Sequence, residues 1–188
     1  MAAPVRATRM TLDEFLALPE EKPYLEFVNG EVQAKAMPNE KHGAVVAQLI
    51  IAIGIYLRQH AEARIVTEVR HATVSNVDQR VFLPDINVTP STQYSGPPRT
   101  GLVRQHPAFA IEVLSPEDRP GRVADRVQFY LRNGTALLWL VDPEDESITV
   151  FRPGAEAQTA VAGDTLDAAP VLSAFSLDVA GLFAAVRD

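Results

Sequence analysis

The chain has 188 residues, enough for one domain with a substantial core of its own. Hydrophobic residues make up 47% and charged ones 22%, which excludes a wholly disordered or collagen-like chain, and without cysteine there is no disulfide framework, Cys-ligated zinc or thiolate nucleophile. Seventeen basic side chains against 24 acidic ones leave a net charge of -7, so the molecule lacks the overall field of a constitutive DNA binder and any contact with nucleic acid has to be local.

In chain order, residues 1–9 read as a short leader without the apolar stretch of a secretory signal, and 10–188 as a single domain. A cysteine-free chain of this kind fits a reducing, cytoplasmic compartment. Thr11 and Glu14 have capping-box spacing and predict a short helix that stops at Pro19. Residues 24–28 and 31–36 flank Asn29-Gly30, a pair that tolerates positive φ, and predict a β-hairpin. Residues 42–60 repeat apolar side chains at Val45, Leu49, Ile53 and Leu57, the spacing of a core helix. The apolar stretch 43–57 falls short of the roughly 20 residues that span a bilayer, so a buried helix and no membrane partner are expected.

Residues 65–74 and 81–88 read as extended, the second interrupted by Pro84, which points to an edge, a bulge or a strand end. Residues 90–107 collect Pro, Gly, Ser and Gln without periodicity, a candidate flexible lip. Residues 108–114, 122–132 with Asn133-Gly134 as C-cap, and 136–142 read as strand, crossover helix and parallel strand. Residues 146–152 then hairpin back, followed by a short strand near 158–161 and a helix from about Asp178.

Two acids carry the chemistry. Glu112 lies inside an apolar run, where a carboxylate is costly unless protonated, paired or bound to metal, and Asp85 follows Pro84 near a strand end. If their strands are neighbours, the two converge on one hard cation, with the Val113 carbonyl and waters completing an oxygen shell suited to Mg²⁺. The competing reading makes Asp85 a cap or loop acceptor and Glu112 the partner of Arg126 in a buried ion pair. The four histidines, His42, His60, His71 and His106, have no zinc-ligand spacing, and Ser115 lacks a nucleophile elbow.

The order Tyr24-Leu25-Glu26-Phe27-Val28-Asn29-Gly30-Glu31, His42 at a helix start, Pro84-Asp85, Glu112-Val113-Leu114-Ser115-Pro116 with Asp118, Tyr130 before Asn133-Gly134, and Leu138-Trp139-Leu140-Val141-Asp142-Pro143 resembles the Uma2 family of restriction endonuclease-like proteins, over roughly residues 10–155. The resemblance implies an α/β restriction endonuclease-like fold of the PD-(D/E)xK type, a mixed β-sheet flanked by helices, with a Mg²⁺- or Mn²⁺-dependent phosphodiesterase centre acting on DNA. It places Asp85 and Glu112 as metal-binding acids, Glu26 as an additional acid, and His42 as a recurring helix-start histidine. Leu114 stands where a standard Glu-x-Lys element has lysine. The family's lysine, four residues before the tyrosine, is here Arg126, which stays protonated and offers a fork to phosphate rather than a base. Arg122, one helical turn away, would join it in an anion-facing patch with Arg119 upstream. Lys35 would replace the lysine if its strand points towards Glu112.

The leading expectation is therefore a metal-dependent endonuclease using Glu26, Asp85, Glu112 and Arg126, with a two-fold homodimer if both DNA strands are cut. The rival is a catalytically degenerate DNA-binding or protein-interaction module of the same fold. A glycosidase built on Glu26 and Glu112 ranks last, since only 7% of residues are aromatic.

Overall fold

The computed structural model describes residues 9–74, 78–94 and 102–187. Helix α1 (Leu12–Leu16) begins as its spacing predicts: the Thr11 hydroxyl accepts from the Glu14 N–H at 3.2 Å, and the Glu14 carboxylate accepts from the Thr11 N–H at 2.8 Å. Strands β1 (Leu25–Val28) and β2 (Glu31–Ala34) turn through Asn29 and Gly30, at φ 49° and 96°. Helix α2 (Glu40–Gln59) starts at Asn39, whose side chain accepts from the His42 N–H. Then come β3 (Ala63–Thr67), β4 (His71–Val74), β5 (Gln79–Phe82), β6 (Ile86–Pro90), β7 (Phe109–Val113), α3 (Pro120–Arg132), β8 (Leu137–Asp142), β9 (Ser147–Phe151), β10 (Gln158–Ala160), β11 (Thr165–Ala168), β12 (Leu172–Asp178) and α4 (Val179–Arg187).

The strands form three sheets. A six-stranded sheet runs β10-β9-β8-β7-β6-β3, mixed because β7 and β8 are parallel, as the crossover through α3 requires. A four-stranded antiparallel sheet runs β2-β1-β5-β4, and β11 and β12 form a hairpin. Side chains of β7 and β8 alternate between two cores. Phe109, Ile111, Trp139 and Val141 pack with Val45, Leu49 and Ile53 of α2 and Leu182 and Phe183 of α4. Ala110 and Leu138 point the other way, to Val127, Phe129 and Tyr130 of α3. Both strands are buried on two faces, which explains their continuous apolar composition. A third cluster joins Phe15 of α1 to Phe27 and Val81 of the smaller sheet.

Three expectations change and one hairpin goes unforeseen. Residues 65–74 form not one strand but β3 and β4 in different sheets, separated at Glu68, which adopts φ 51°. Residues 81–88 likewise divide into β5 and β6, because Pro84 has no N–H for a ladder and the chain changes sheets there. The β11–β12 hairpin has no clear alternating signal in its Asp- and Ala-rich sequence. Helix α2 is buried on one face only: His42, Val45, Leu49 and Ile53 face inwards, while Ile51 and Ile55 are more than half exposed. By length and composition alone α2 could cross a membrane; here its inner face packs on the six-stranded sheet.

The expected leader lies outside the described residues except for Arg9, as do residues 95–101 of the expected lip. Both described ends of that lip are held. Residues Ser91–Gln93 make a 3-10 turn, and Val103 bridges to β4, donating to the Arg70 carbonyl at 2.9 Å and accepting from the Ala72 N–H at 3.0 Å.

Candidate functional site

The antiparallel register of β6 and β7 pairs Ile86 with Ile111 and Asn87 with Ala110. Carried one step further, it sets position 85 opposite position 112, so Asp85 and Glu112, far apart in sequence, become cross-strand neighbours. The Val113 N–H donates to Asp85 Oδ2 at 2.8 Å, so it is the amide of Val113 that meets this acid. Glu26 enters from β1, Lys35 from just beyond β2, His42 from the first turn of α2, Asp118 from the loop after β7, and Arg126 and Tyr130 from α3. Six elements or their connections thus supply one buried cluster of charge.

Glu112, 2% exposed, accepts from Arg126 Nη1 at 2.8 Å and from the Tyr130 hydroxyl at 2.9 Å. Asp85 accepts from Lys35 Nζ at 2.7 Å through Oδ1, and His42 Nε2 lies 3.4 Å from Oδ2. Lys35 also donates to the Leu83 carbonyl at 2.6 Å, and the Leu83 N–H in turn donates to the Glu26 carboxylate. Arg126 Nη2 reaches Asp118 at 3.3 Å and lies 4.0 Å from Glu26, whose Oε1 is buried without a partner.

Burial raises the pKa of Glu26 and of Glu112, only partly offset by the Arg126 and Lys35 charges. Burial also works against ionised Asp85, but Lys35 and His42 outweigh it and hold this carboxyl well below the usual range. For Lys35 burial again opposes the charge, and Asp85, Glu112 and Glu26 overcome it, raising the pKa. Lys35 is therefore a fixed ammonium, able to orient a water or an anionic oxygen but not to take up a proton. Of its three N–H donors, two are engaged by Leu83 and Asp85.

Glu26, Asp85, Glu112 and Arg126 come together as the sequence suggests, with His42 beside Asp85. Two residues expected to face an anion are placed differently. Arg126 is 7% exposed and is shared among Glu112, Asp118 and Glu26, so the arrangement seen is the competing one, a buried ion pair of Glu112 with Arg126. Arg122 was expected to complete an anion patch, but it is exposed while Arg126 is buried, and the two do not form one surface. Lys35 takes the cationic position next to Asp85; nothing in the sequence fixes which way a residue just past a short strand points. Asp118 is the acid that sequence reasoning left outside the site; its Oδ2 also accepts from the Ser115 N–H, three residues before it.

Asp85, Lys35, His42, Glu68, Asp118 and Arg126 line a cavity of about 30 Å³, enough for one ion or one or two waters, while Glu26 and Glu112 lie behind them and do not line it. It adjoins a larger groove of about 530 Å³, mostly apolar, with Ser115 and Asp118 common to both. Among the described residues no group of three or more His, Asp or Glu side chains forms a ready-made metal cage. Mg²⁺ does not need one, since it is held by one or two carboxylates, with waters and phosphate oxygens. The donor set fits such an ion. Four carboxylates face Lys35 and Arg126, two formal negative charges in excess, and Glu26 keeps an unpartnered oxygen. A carboxylate oxygen that accepts one hydrogen bond retains a second lone pair.

A mixed sheet clamped between helices, with acids gathered at a strand junction, is the architecture of a nuclease-like α/β protein. The chain belongs to the Uma2 family, described as "Putative restriction endonuclease", whose model matches residues 12–180. The structure is similar to that of a "putative nuclease belonging to DUF820" from Anabaena variabilis ATCC 29413, with a TM-score of 0.85 and 27% sequence identity, covering 94% of this chain and 99% of the other. No curated protein matches the sequence.

Proposed function

We propose that this chain is a divalent-metal-dependent endonuclease that hydrolyses DNA phosphodiester bonds. The observation that carries the reading is the register-paired Asp85 and Glu112 in a buried cluster whose four carboxylates outnumber its two fixed cations, with Asp85 lining a small cavity beside it, in a fold shared with nuclease-like proteins. Asp85 and Glu112 would hold Mg²⁺ or Mn²⁺, with Glu26 contributing through water. When bound, the ion supplies charge neutralisation at the phosphodiester and acidifies a water. Lys35 uses its remaining N–H to orient the attacking water or a non-bridging phosphate oxygen. Arg126 keeps Glu112 in place and compensates its charge, and Tyr130 fixes the other oxygen of the same carboxylate.

One observation favours the rival reading of a catalytically degenerate module: Arg126 already neutralises Glu112 without any metal. Calorimetric titration with Mn²⁺ and plasmid nicking separate the two. Wild type is expected to bind Mn²⁺ and nick, Asp85→Ala to lose both, and Lys35→Met to keep metal binding while losing about 10²-fold or more of the nicking rate. Metal binding that Asp85→Ala leaves untouched, or no nicking by wild type in Mn²⁺, would reject the endonuclease reading.

A further inference from the structure

We propose that the outward face of α2 docks a second copy of this chain, the two helices lying antiparallel about a two-fold axis near residue 49. Val45, Leu49 and Ile53 turn into the core. The side opposite Leu49 carries Ile51 and Ile55, 51% and 54% exposed, and the helix has no Asp, Glu, Lys or Arg between Lys41 and Arg58. The same outward side holds Gly43 and Gly54. Glycine inside a helix is destabilising relative to alanine, and nothing in its own chain calls for it at either position. A Cβ there would meet no atom within 4 Å, and neither residue has a positive φ. Two missing side chains on an exposed face are explained by the close approach of another backbone.

The face is complementary to itself. Counted outwards from residue 49, Ala47 and Ile51 stand at matching levels, as do Glu40 and Arg58 at the two ends, about 27 Å apart. An antiparallel pair therefore sets Ile51 against the partner's Ala47, and Glu40 against the partner's Arg58. Gly43 and Gly54 lie on one flank of the face, Ala44 and Ile55 on the other. In a two-fold antiparallel pair like flanks meet, so Gly43 faces the partner's Gly54, and Ile55 faces the partner's Ala44. Each isoleucine has an alanine to fill against, and the glycines let the backbones close in. Glu40 and Arg58 are exposed and, among the described residues, neither has an ion-pair partner within its own chain. In the antiparallel pair the two satisfy each other at both ends, whereas a parallel pair would set Glu40 against the partner's Glu40. This charge pattern, in a chain of net charge -7, favours a self-complementary protein contact over an anionic membrane surface, which selects helices rich in Lys and Arg. The dimer is independent of the endonuclease reading, since none of these side chains belongs to the carboxylate cluster.

The test is sedimentation velocity of the full chain over about 1–100 µM, the range of a modest interface. Wild type is expected to pass from monomer to dimer. Ile51→Glu and Gly43→Leu project into open space in the monomer, so their melting temperatures are expected to stay close to that of the wild-type monomer. Each is expected to weaken dimerisation by about ten-fold or more. Glu40→Arg and Arg58→Glu, each placing like charges at both ends, are expected to weaken it, and the double reversal to restore it. That rescue reports the register, because damage to the monomer would add rather than cancel. Co-sedimentation with phosphatidylcholine–phosphatidylserine vesicles checks the other occupant of an apolar helix face. Four results would overturn the proposal: wild type monomeric throughout the range, a dimer indifferent to Ile51→Glu and Gly43→Leu, a double reversal no tighter than the single ones, or vesicle binding by the monomer that Ile51→Glu abolishes.

Discussion

The two faces of β7 make an instructive pair. On one, Phe109, Ile111 and Val113 pack into a core built entirely of apolar side chains from α2, α4 and the neighbouring strands. On the other, a single residue away along the same strand, Glu112 is sunk among Arg126, Tyr130 and Lys35. Both faces are equally dry, yet they are stabilised differently. The apolar face gains from burial itself, whereas the charged face has to recover a desolvation cost through geometry, and breaks badly if one partner is lost. A protein retains such a face for what it does rather than for the stability it adds.

The largest expected effect is on the charged face. Arg126→Ala leaves Glu112, Glu26 and Asp118 without their shared cation and is expected to cost about 3–5 kcal/mol at neutral pH, read from urea unfolding. Because the carboxyl groups of Glu26 and Glu112 already have raised pKa values, the folded state holds their protons more tightly than the unfolded chain. Lowering the pH therefore favours folding at these two sites, and the Arg126→Ala deficit is expected to shrink in acid. Leu49→Ala, on the apolar face, is expected to cost about 2–5 kcal/mol, with the same deficit at pH 5 as at pH 8. A pH-independent Arg126→Ala deficit would erase the contrast.

A smaller effect is expected from His106→Gln. The His106 pKa is lowered to about 4, so its neutral form adds stability above the unfolded value near 6.5, and that stability is lost as the pH falls from about 6.5 towards 4. The variant is expected to flatten this part of the stability–pH curve. Smallest is Lys41→Ala. Its pair with Glu144, at 3.2 Å, is more than a third exposed on both sides, and its loss is expected to cost below about 1 kcal/mol, vanishing in high salt. An equal salt response from Arg126→Ala would show that burial does not separate the two ion pairs.

Much of the frame was legible because local rules and tertiary packing agree. Thr11 with Glu14, Asn29-Gly30, the α2 repeat and the β7–α3–β8 crossover each carry a signal that the fold keeps. The division of residues 65–74 and 81–88 was not legible, since extended residues look alike whichever sheet they join, although Pro84 marked one break. Within the site, the pairing of Asp85 with Glu112 follows from strand adjacency, which composition could only suggest. Arg126 shows the opposite limit. Its helix position was evident, but whether a guanidinium faces phosphate or three carboxylates depends on side chains from β1, β7 and the loop that follows β7, none of them near it in sequence.

Residues 83–85 join a strand of the smaller sheet to a strand of the larger one, and in that short stretch Leu83 touches both Glu26 and Lys35 while Asp85 touches Lys35 and Val113. The seam works as a strain gauge: any slip of one layer over the other is felt first as a change in spacing between opposite charges. Warming that loosens only the four-stranded layer would accordingly disperse this charge cluster while the six-stranded layer is still intact.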